Sequence, residues 1–209
     1  LKKAEPLIPA GYTIARNQLT VTAYQFKKLD ISSHDISNIQ TRAPQIKDND
    51  INYLIISGDF FNLEFSRHTG FLCKYDVNGM ALFTDSGVLP PNFWRPPTDN
   101  DMGANLQIKY SVWKNPEIIL KSLTYKTIGN FITVNADYEI PSVSAKLFLS
   151  YLVNNAGTMK VTQKMTVDTT AKISNMFRFG MQLQMSKDFD RIEYYGRGPH
   201  ENYEDRKSS

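Results

Sequence analysis

Apolar and polar side chains alternate with a period of two along most of this chain, the pattern of half-buried β-strands. From residue 51 the segments INYLIISG, DFFNLEFSRHTG and FLCKYDVNG follow one another, each closed by a glycine. Phe61, Leu63 and Phe65 alternate with Asn62, Glu64 and Ser66, which predicts one buried and one polar face. Asn78-Gly79 is the dipeptide of a two-residue hairpin turn, whose central positions need φ above zero. Beyond residue 116, EIILKSLTYKTIG, FITVNADYEIP, AKLFLSYLVNNAG, TMKVTQKMTVD and MFRFGMQLQMS repeat the alternation between short turn signals. Met159, Met165, Met176, Met181 and Met185 lie in these segments and read as core filler. One segment departs from the pattern. NLQIKYSVWKNP spaces Leu106, Tyr110 and Trp113 by four and three, which predicts a helix with Trp113 on its core face, ended by Pro116.

The pattern also divides the chain. Residues 1–26 include RNQLTVTAYQF, where Leu19, Val21 and Ala23 alternate with polar neighbours as in a strand. Residues 27–49 are polar and interrupted by Pro44, so a linker or edge strand is expected there. Residues 50–209 carry the main run of strands. Their regular spacing predicts an all-β fold, an antiparallel β-sandwich.

Composition adds limits. With 41% hydrophobic and 22% charged residues, the chain of 209 residues can bury a sizeable core. A net charge of +3, dispersed along the chain, gives no basis for nucleic-acid binding. No apolar run approaches the roughly 20 residues needed to cross a bilayer as a helix, so no membrane partner is expected. The single cysteine, Cys73, excludes an internal disulfide and reads as a small core residue. It leaves the compartment open between cytoplasm and periplasm. His68 has no second His or Cys near it in sequence, so no metal set is expected there.

Two polar stretches carry the candidate chemistry. In NFWRPPTDNDMG, residues 92–103, Pro96 and Pro97 stiffen the backbone and push the residues before them into extended conformations. Asp99, Asn100 and Asp101 then form a polar run read as a loop of defined shape, with Arg95 paired to Asp99 or Asp101 or facing a ligand. In YYGRGPHENYEDRK, residues 194–207, Gly196, Gly198 and Pro199 make a constrained turn. Arg197, Glu201 and Asn202 crowd there with His200, Asp205 and Arg206, a set suited to a salt-bridge network or to a polyol ligand.

Together these stretches resemble the large bacterial β-galactosidases of glycoside hydrolase family 2. NFWRPPTDNDMG is similar to the family's F-x-R-A-P-x-D-N-D-x-G segment, with Pro96 in place of the usual Ala. YYGRGPHENYEDRK is similar to its G-x-G-P-x-E-N-Y-x-D-R segment. The resemblance implies a partial galactose-mutarotase-like supersandwich from the C-terminal part of such an enzyme. It also implies that residues 1–26 are the end of an immunoglobulin-like domain. The family's sandwich continues past the point where this chain stops, so a fragment of a longer polypeptide is expected.

A retaining glycosidase needs two carboxyl groups roughly 5 Å apart, one nucleophile and one acid/base. In the family these are two Glu residues on a TIM barrel, which this chain does not match. Asp99 and Asp101 have no evident apolar pocket to raise one pKa, and Glu201 and Asp205 sit among arginines that would keep both ionised. No catalytic residue is therefore expected here. The resemblance assigns Arg95, Asp99, Asn100, Asp101, Arg197, Glu201 and Asn202 to substrate contact or to bracing a mobile loop, matched by position to residues 79–89. It further implies Mg²⁺, with Na⁺ as a second candidate, elsewhere in the full-length enzyme. The implied partners are the remaining domains of the same polypeptide, a galactoside substrate and further copies in a homo-oligomer. A different class stays open: a stand-alone carbohydrate-binding module in which Trp94, Tyr194, Tyr195 and Tyr203 stack on sugars.

Overall fold

The computed structural model describes residue 3 and residues 6–11, 41–84, 87–168 and 170–193. The alternating segments form strands as their period requires. β1 (Gln45–Lys47), β2 (Tyr53–Ser57), β3 (Phe61–Ser66), β4 (Leu72–Val77) and β5 (Met80–Ala81) build one antiparallel sheet in sequence order. β7 (Ile119–Ile128), β8 (Phe131–Ile140), β9 (Ala145–Val153) and β10 (Met159–Val167) build a second antiparallel sheet, ordered β10-β9-β8-β7. β6 (Pro91–Asn92) pairs with β11 (Gly180–Met181) as a small third sheet. The all-β sandwich expected from the periodicity is therefore the fold. The chain divides into two compact units, residues 1–29 with 190–209, and residues 30–189. All three sheets belong to the second unit, and the strand expected in RNQLTVTAYQF, residues 16–26, lies outside the described residues.

Period two decides what is buried. In β3, Phe61, Leu63 and Phe65 face inward, and in β8 and β9 every second residue does the same. These faces meet in one core, where Ile56, Leu63, Phe65, Ile132, Leu149 and Tyr151 are fully inaccessible. Phe65 meets Tyr151 edge-on at 4.9 Å, and Phe71 stacks on Tyr138 at 5.3 Å, so aromatic pairs join the two sheets. The Tyr75 hydroxyl donates to the Gly157 carbonyl at 2.6 Å, adding a polar tie. At the rim, the Asp48 carboxylate accepts hydrogen bonds from Arg67 and, at 3.0 Å, from the Tyr125 hydroxyl. Burial pushes the Tyr138 and Tyr151 phenols far above their ordinary range, so both stay neutral.

Several expectations need correction. Residues 99–103, read as loop, form a helical turn, α1 (Asp99–Gly103), because Thr98 caps it. The single helix expected over 105–116 is broken into α2 (Leu106–Lys109) and a 3₁₀ turn, Ser111–Trp113. Trp113 is drawn into the core, 1% exposed, and its indole N–H donates to the Ser174 carbonyl at 3.0 Å, which a continuous helix through Tyr110 would not have to accommodate. Cys73 is not a core residue. It is the extra residue of a β-bulge between Leu72 and Lys74, half-buried, with its thiol donating to the Glu64 carbonyl at 3.2 Å. Met185 is 40% exposed, whereas Met159, Met165, Met176 and Met181 pack on the core.

Two glycines of similar backbone test the cost of the close approach between sheets. Gly70 (φ +72°) and Gly79 (φ +76°) both occupy the left-handed region. A Cβ on Gly79 would meet nothing within 4 Å, whereas one on Gly70 would lie 2.6 Å from Leu120 and from the Tyr138 hydroxyl. Gly79→Ala is expected to cost about 1–2 kcal/mol in backbone strain. Gly70→Ala adds overpacking and is expected to cost about 2–4 kcal/mol. Urea midpoints for the two variants check this; equal losses would mean that the Gly70 contact does not limit sheet separation.

Candidate functional site

The stretch 92–103 is built from three local constraints. β6 fixes its start: Asn92 is paired with Gly180, and the Arg178 N–H donates to the Phe93 carbonyl at 3.4 Å. Phe93 is buried and stacks edge-on with Trp113 at 5.5 Å, which anchors the stretch in the core. Pro96 and Pro97 carry the backbone to Thr98, the N-cap of α1. There the Asp101 N–H donates to the Thr98 hydroxyl at 3.3 Å, and the Thr98 N–H donates back to the Asp101 carboxylate at 2.8 Å. This reciprocal pair is a capping box, with Asp in the place more often held by Glu. Arg95 closes the structure. Its Nη1 donates to the same Asp101 Oδ2 at 2.7 Å and to the Pro96 carbonyl at 3.0 Å.

Asp101 is thus committed to bracing. It is a buried carboxylate, and the Arg95 guanidinium first, then the Thr98 N–H, hold its carboxyl below the usual carboxylate range. Arg95 is also placed by an aromatic neighbour: its guanidinium carbon lies 4.9 Å from the centre of the Phe177 ring. Phe177 in turn meets Trp94 edge-on at 4.8 Å and Tyr110 at 5.2 Å. Arginine, proline turn and capped helix therefore share one aromatic support.

The structure separates the sequence-expected residues into groups. Arg95 and Asp101 are brought together. Asp99 and Asn100 stand exposed on the first turn of α1, away from that pair. Arg197, Glu201 and Asn202 lie outside the described residues. The bonds of Arg95 and Asp101 close within residues 95–101 and none reaches residues 79–89 among those described. Residues 80–81 instead belong to the β4–β5 hairpin, where Asn78 (φ 52°) and Gly79 (φ 76°) form the expected tight turn. Sequence reasoning missed Thr98 and Phe177. The T-x-x-D spacing of Thr98 and Asp101 was a legible capping signal; nothing in sequence linked Phe177 to Arg95.

The chemistry available here is limited. A glycosidic acid needs a carboxyl pKa raised by burial. Asp101, Asp48 and Asp168 are all displaced downward instead, Asp48 by Arg67 and Tyr125 and Asp168 by the Thr170 N–H and hydroxyl. No group of three or more His, Cys, Asp or Glu side chains converges as a metal site among the described residues. Trp94, a candidate stacking platform, is half-buried, with Phe177 at its edge and the Lys114 ammonium 6.0 Å above its ring. An open cavity of about 650 Å³ lies elsewhere, against Tyr110, Trp113, Asp168 and Ser174, and includes none of the expected residues. The arrangement of Arg95, Thr98 and Asp101 can hold a polar edge in place, with the Asp101 carboxylate already committed to Arg95 and Thr98.

Comparison with known proteins gives the family. The family described as β-galactosidase small chain matches residues 57–209. A β-galactosidase of Priestia megaterium is 27% identical over 100% of this chain and 19% of its own length. One of Clostridium acetobutylicum is 28% identical over 94% of this chain and 21% of its own length. One of Staphylococcus xylosus is 32% identical over 55% of this chain and 12% of its own length. The chain spans about a fifth of the length of the first two of these relatives. With its paired antiparallel sheets and a profile match over most of its residues, the chain belongs to the β-galactosidase small-chain family.

Proposed function

We propose that this chain is one portion of a longer β-galactosidase of glycoside hydrolase family 2, which hydrolyses terminal β-D-galactosides with retention. The observation that carries this reading is the asymmetry of the alignments: two β-galactosidases match 100% and 94% of the chain, and the chain covers about a fifth of each. In this reading the two catalytic Glu residues lie on a barrel domain outside the chain. Mg²⁺, with Na⁺ as a second candidate, is held there too. The sandwich contributes a wall beside the substrate and no nucleophile. The low-lying carboxyl of Asp101, tied to Arg95 and Thr98, supports a bracing role and argues against proton donation.

The reading assigns separate roles within 95–101. Arg95, Thr98 and Asp101 hold the turn rigid. Asp99 and Asn100, exposed on α1, face whatever lies outside this chain, whether galactoside or neighbouring domain. If Arg197, Glu201 and Asn202 also border the substrate, they supply the second polar edge.

The purified full-length polypeptide is expected to cleave an aryl β-galactoside and release the β anomer first, seen by proton NMR. No turnover, or initial release of the α anomer, would sink the proposal. Within that enzyme, Asp99→Ala is expected to lower kcat/KM by about tenfold, the loss of one good hydrogen bond at the transition state. Its stability should stay within about 0.5 kcal/mol, as for an exposed substitution. Matching losses of activity and soluble protein would reduce Asp99 to a structural residue.

Thr98→Ala is expected to cost about 1 kcal/mol through loss of the cap. A pH series separates the ionic part. The folded pKa of Asp101 is depressed, so its contribution is present above the unfolded value of about 3.9 and is lost as pH falls through the folded value. The stability difference between wild type and Asp101→Asn should therefore be constant near neutrality and close in acid. A difference that persists unchanged through strongly acidic solution would show that the carboxylate charge is not what braces the turn.

A further inference from the structure

The open cavity of about 650 Å³ beside Tyr110 and Trp113 falls within the size range of small-molecule sites. It lies between the turns at 110–113 and the segment that follows β10. Its lining mixes two kinds of surface. Val167, Ile173 and Met176, half-buried against the core, are the apolar part. Asp168 and Asn175, both exposed, are the polar part. Thr170 donates its N–H and its hydroxyl to Asp168 Oδ1, at 2.9 and 2.7 Å. Those bonds fix the carboxylate and leave Oδ2 without a partner among the described residues. The Asn175 carboxamide has no hydrogen-bond partner among them either. Ser174 holds the wall by accepting the Trp113 indole N–H at 3.0 Å, and its own hydroxyl makes no hydrogen bond there. By contrast, Glu64, Lys74 and Asp76, which line a cavity of about 350 Å³ at β3 and β4, are already paired with one another.

The unpartnered groups select the ligand. No lysine, arginine or histidine lines the cavity among the described residues, and the ionised Asp168 repels an anion. An ammonium or guanidinium would satisfy Asp168, but it brings donors only and leaves the Asn175 amide N–H groups without an acceptor. A wholly apolar molecule would take both polar side chains out of water with nothing in return. Neighbouring hydroxyls on a pyranose ring each donate and accept, so they serve Asp168 Oδ2 and Asn175 together. The C–H faces of the same ring match the apolar lining and the Tyr110 ring. We propose that this cavity binds a neutral monosaccharide in its pyranose form, with Asp168 accepting from its hydroxyls and Asn175 donating to them. Tyr110 also meets Phe177 at 5.2 Å, and Phe177 lies beneath Arg95, so the bound sugar is one ring removed from the support of the 95–101 turn. Binding here does not require the hydrolysis proposed above.

The test follows hydrogen–deuterium exchange by mass spectrometry on peptides covering residues 110–113 and 167–176 of the full-length polypeptide. D-Galactose, D-glucose and tetramethylammonium chloride are titrated separately. At least one hexose should slow exchange in these peptides saturably, with a Kd in about the millimolar range expected of so small a ligand. Tetramethylammonium should leave exchange unchanged. Slowing by both hexoses makes this a general pyranose site and slowing by one a selective site; either supports the proposal. Asp168→Ala and, separately, Asn175→Ala should each raise that Kd about tenfold, the loss of one good hydrogen bond. Both positions are exposed, and urea midpoints check that the variants fold. No slowing by either hexose would overturn the proposal, and so would slowing by tetramethylammonium, which would make this a cation site. A Kd unchanged in both variants would put the sugar elsewhere and overturn it too. Full protection of these peptides before any sugar is added would show the cavity filled by another part of the polypeptide, with the same consequence. Turnover of an aryl galactoside is read separately; its absence counts against the proposed hydrolysis and leaves this site standing.

Discussion

Two inward-facing strand surfaces must be buried against each other, and the described turns that join them take their places from that burial. Neither sheet could hold its apolar face in water alone. The approach is close enough that glycine is needed where side chains from the facing sheet arrive: at Gly70 against Leu120 and Tyr138, and at Gly157 against the Phe61 ring. Aromatic pairs across the gap, Phe65 with Tyr151 and Phe71 with Tyr138, give the packing its orientation. The stretch 92–103 inherits its place from this core through Phe93 and Trp113, both nearly inaccessible.

Charge is distributed in a way that follows from the same constraint. Among the described residues, the core cluster admits the hydroxyls of Tyr138 and Tyr151, kept neutral by burial, but no charged side chain. Ion pairs sit at the perimeter, where water screens them: Arg67 with Asp48, Lys121 with Glu139, and Lys74 between Glu64 and Asp76. The Arg95–Asp101 pair differs because its carboxylate is buried and accepts from a guanidinium and a backbone N–H together. That geometry makes it a brace for a polar turn whose outward residues, Asp99 and Asn100, remain free of side-chain bonds among the described residues. The same aromatic support continues to Phe179, which stacks on Phe93 two residues after the Phe177 ring that lies beneath Arg95.

What could be read in advance follows the range of the forces involved. β2, β3, β4 and β7–β10 were legible because their period-two alternation is local, and β2, β3, β8 and β9 bury alternate residues along one face. The hairpin at Asn78-Gly79 was legible because its φ values are a property of two residues. The helix expected after Gly103 was not, because the Trp113 indole is captured by the Ser174 carbonyl from a distant part of the chain. MFRFGMQLQMS was read as a full strand, yet only Gly180–Met181 pairs regularly, since a strand needs a partner edge and the partner here is the short β6.

The amino-acid sequence by itself determined the all-β class, most strand positions, the family through its two polar stretches, and the pairing of Arg95 with one of two nearby aspartates. The choice of Asp101 over Asp99 is also local, since the Thr98 cap turns Asp101 toward Arg95 and leaves Asp99 on the outer side of one helical turn. Only the tertiary structure brought Phe177 beneath Arg95 and left Phe179, Leu183 and Met185 exposed. Local periodicity records which side chains avoid water. Which distant surface receives them is set by the packing of sheets, and no short window of residues contains that information.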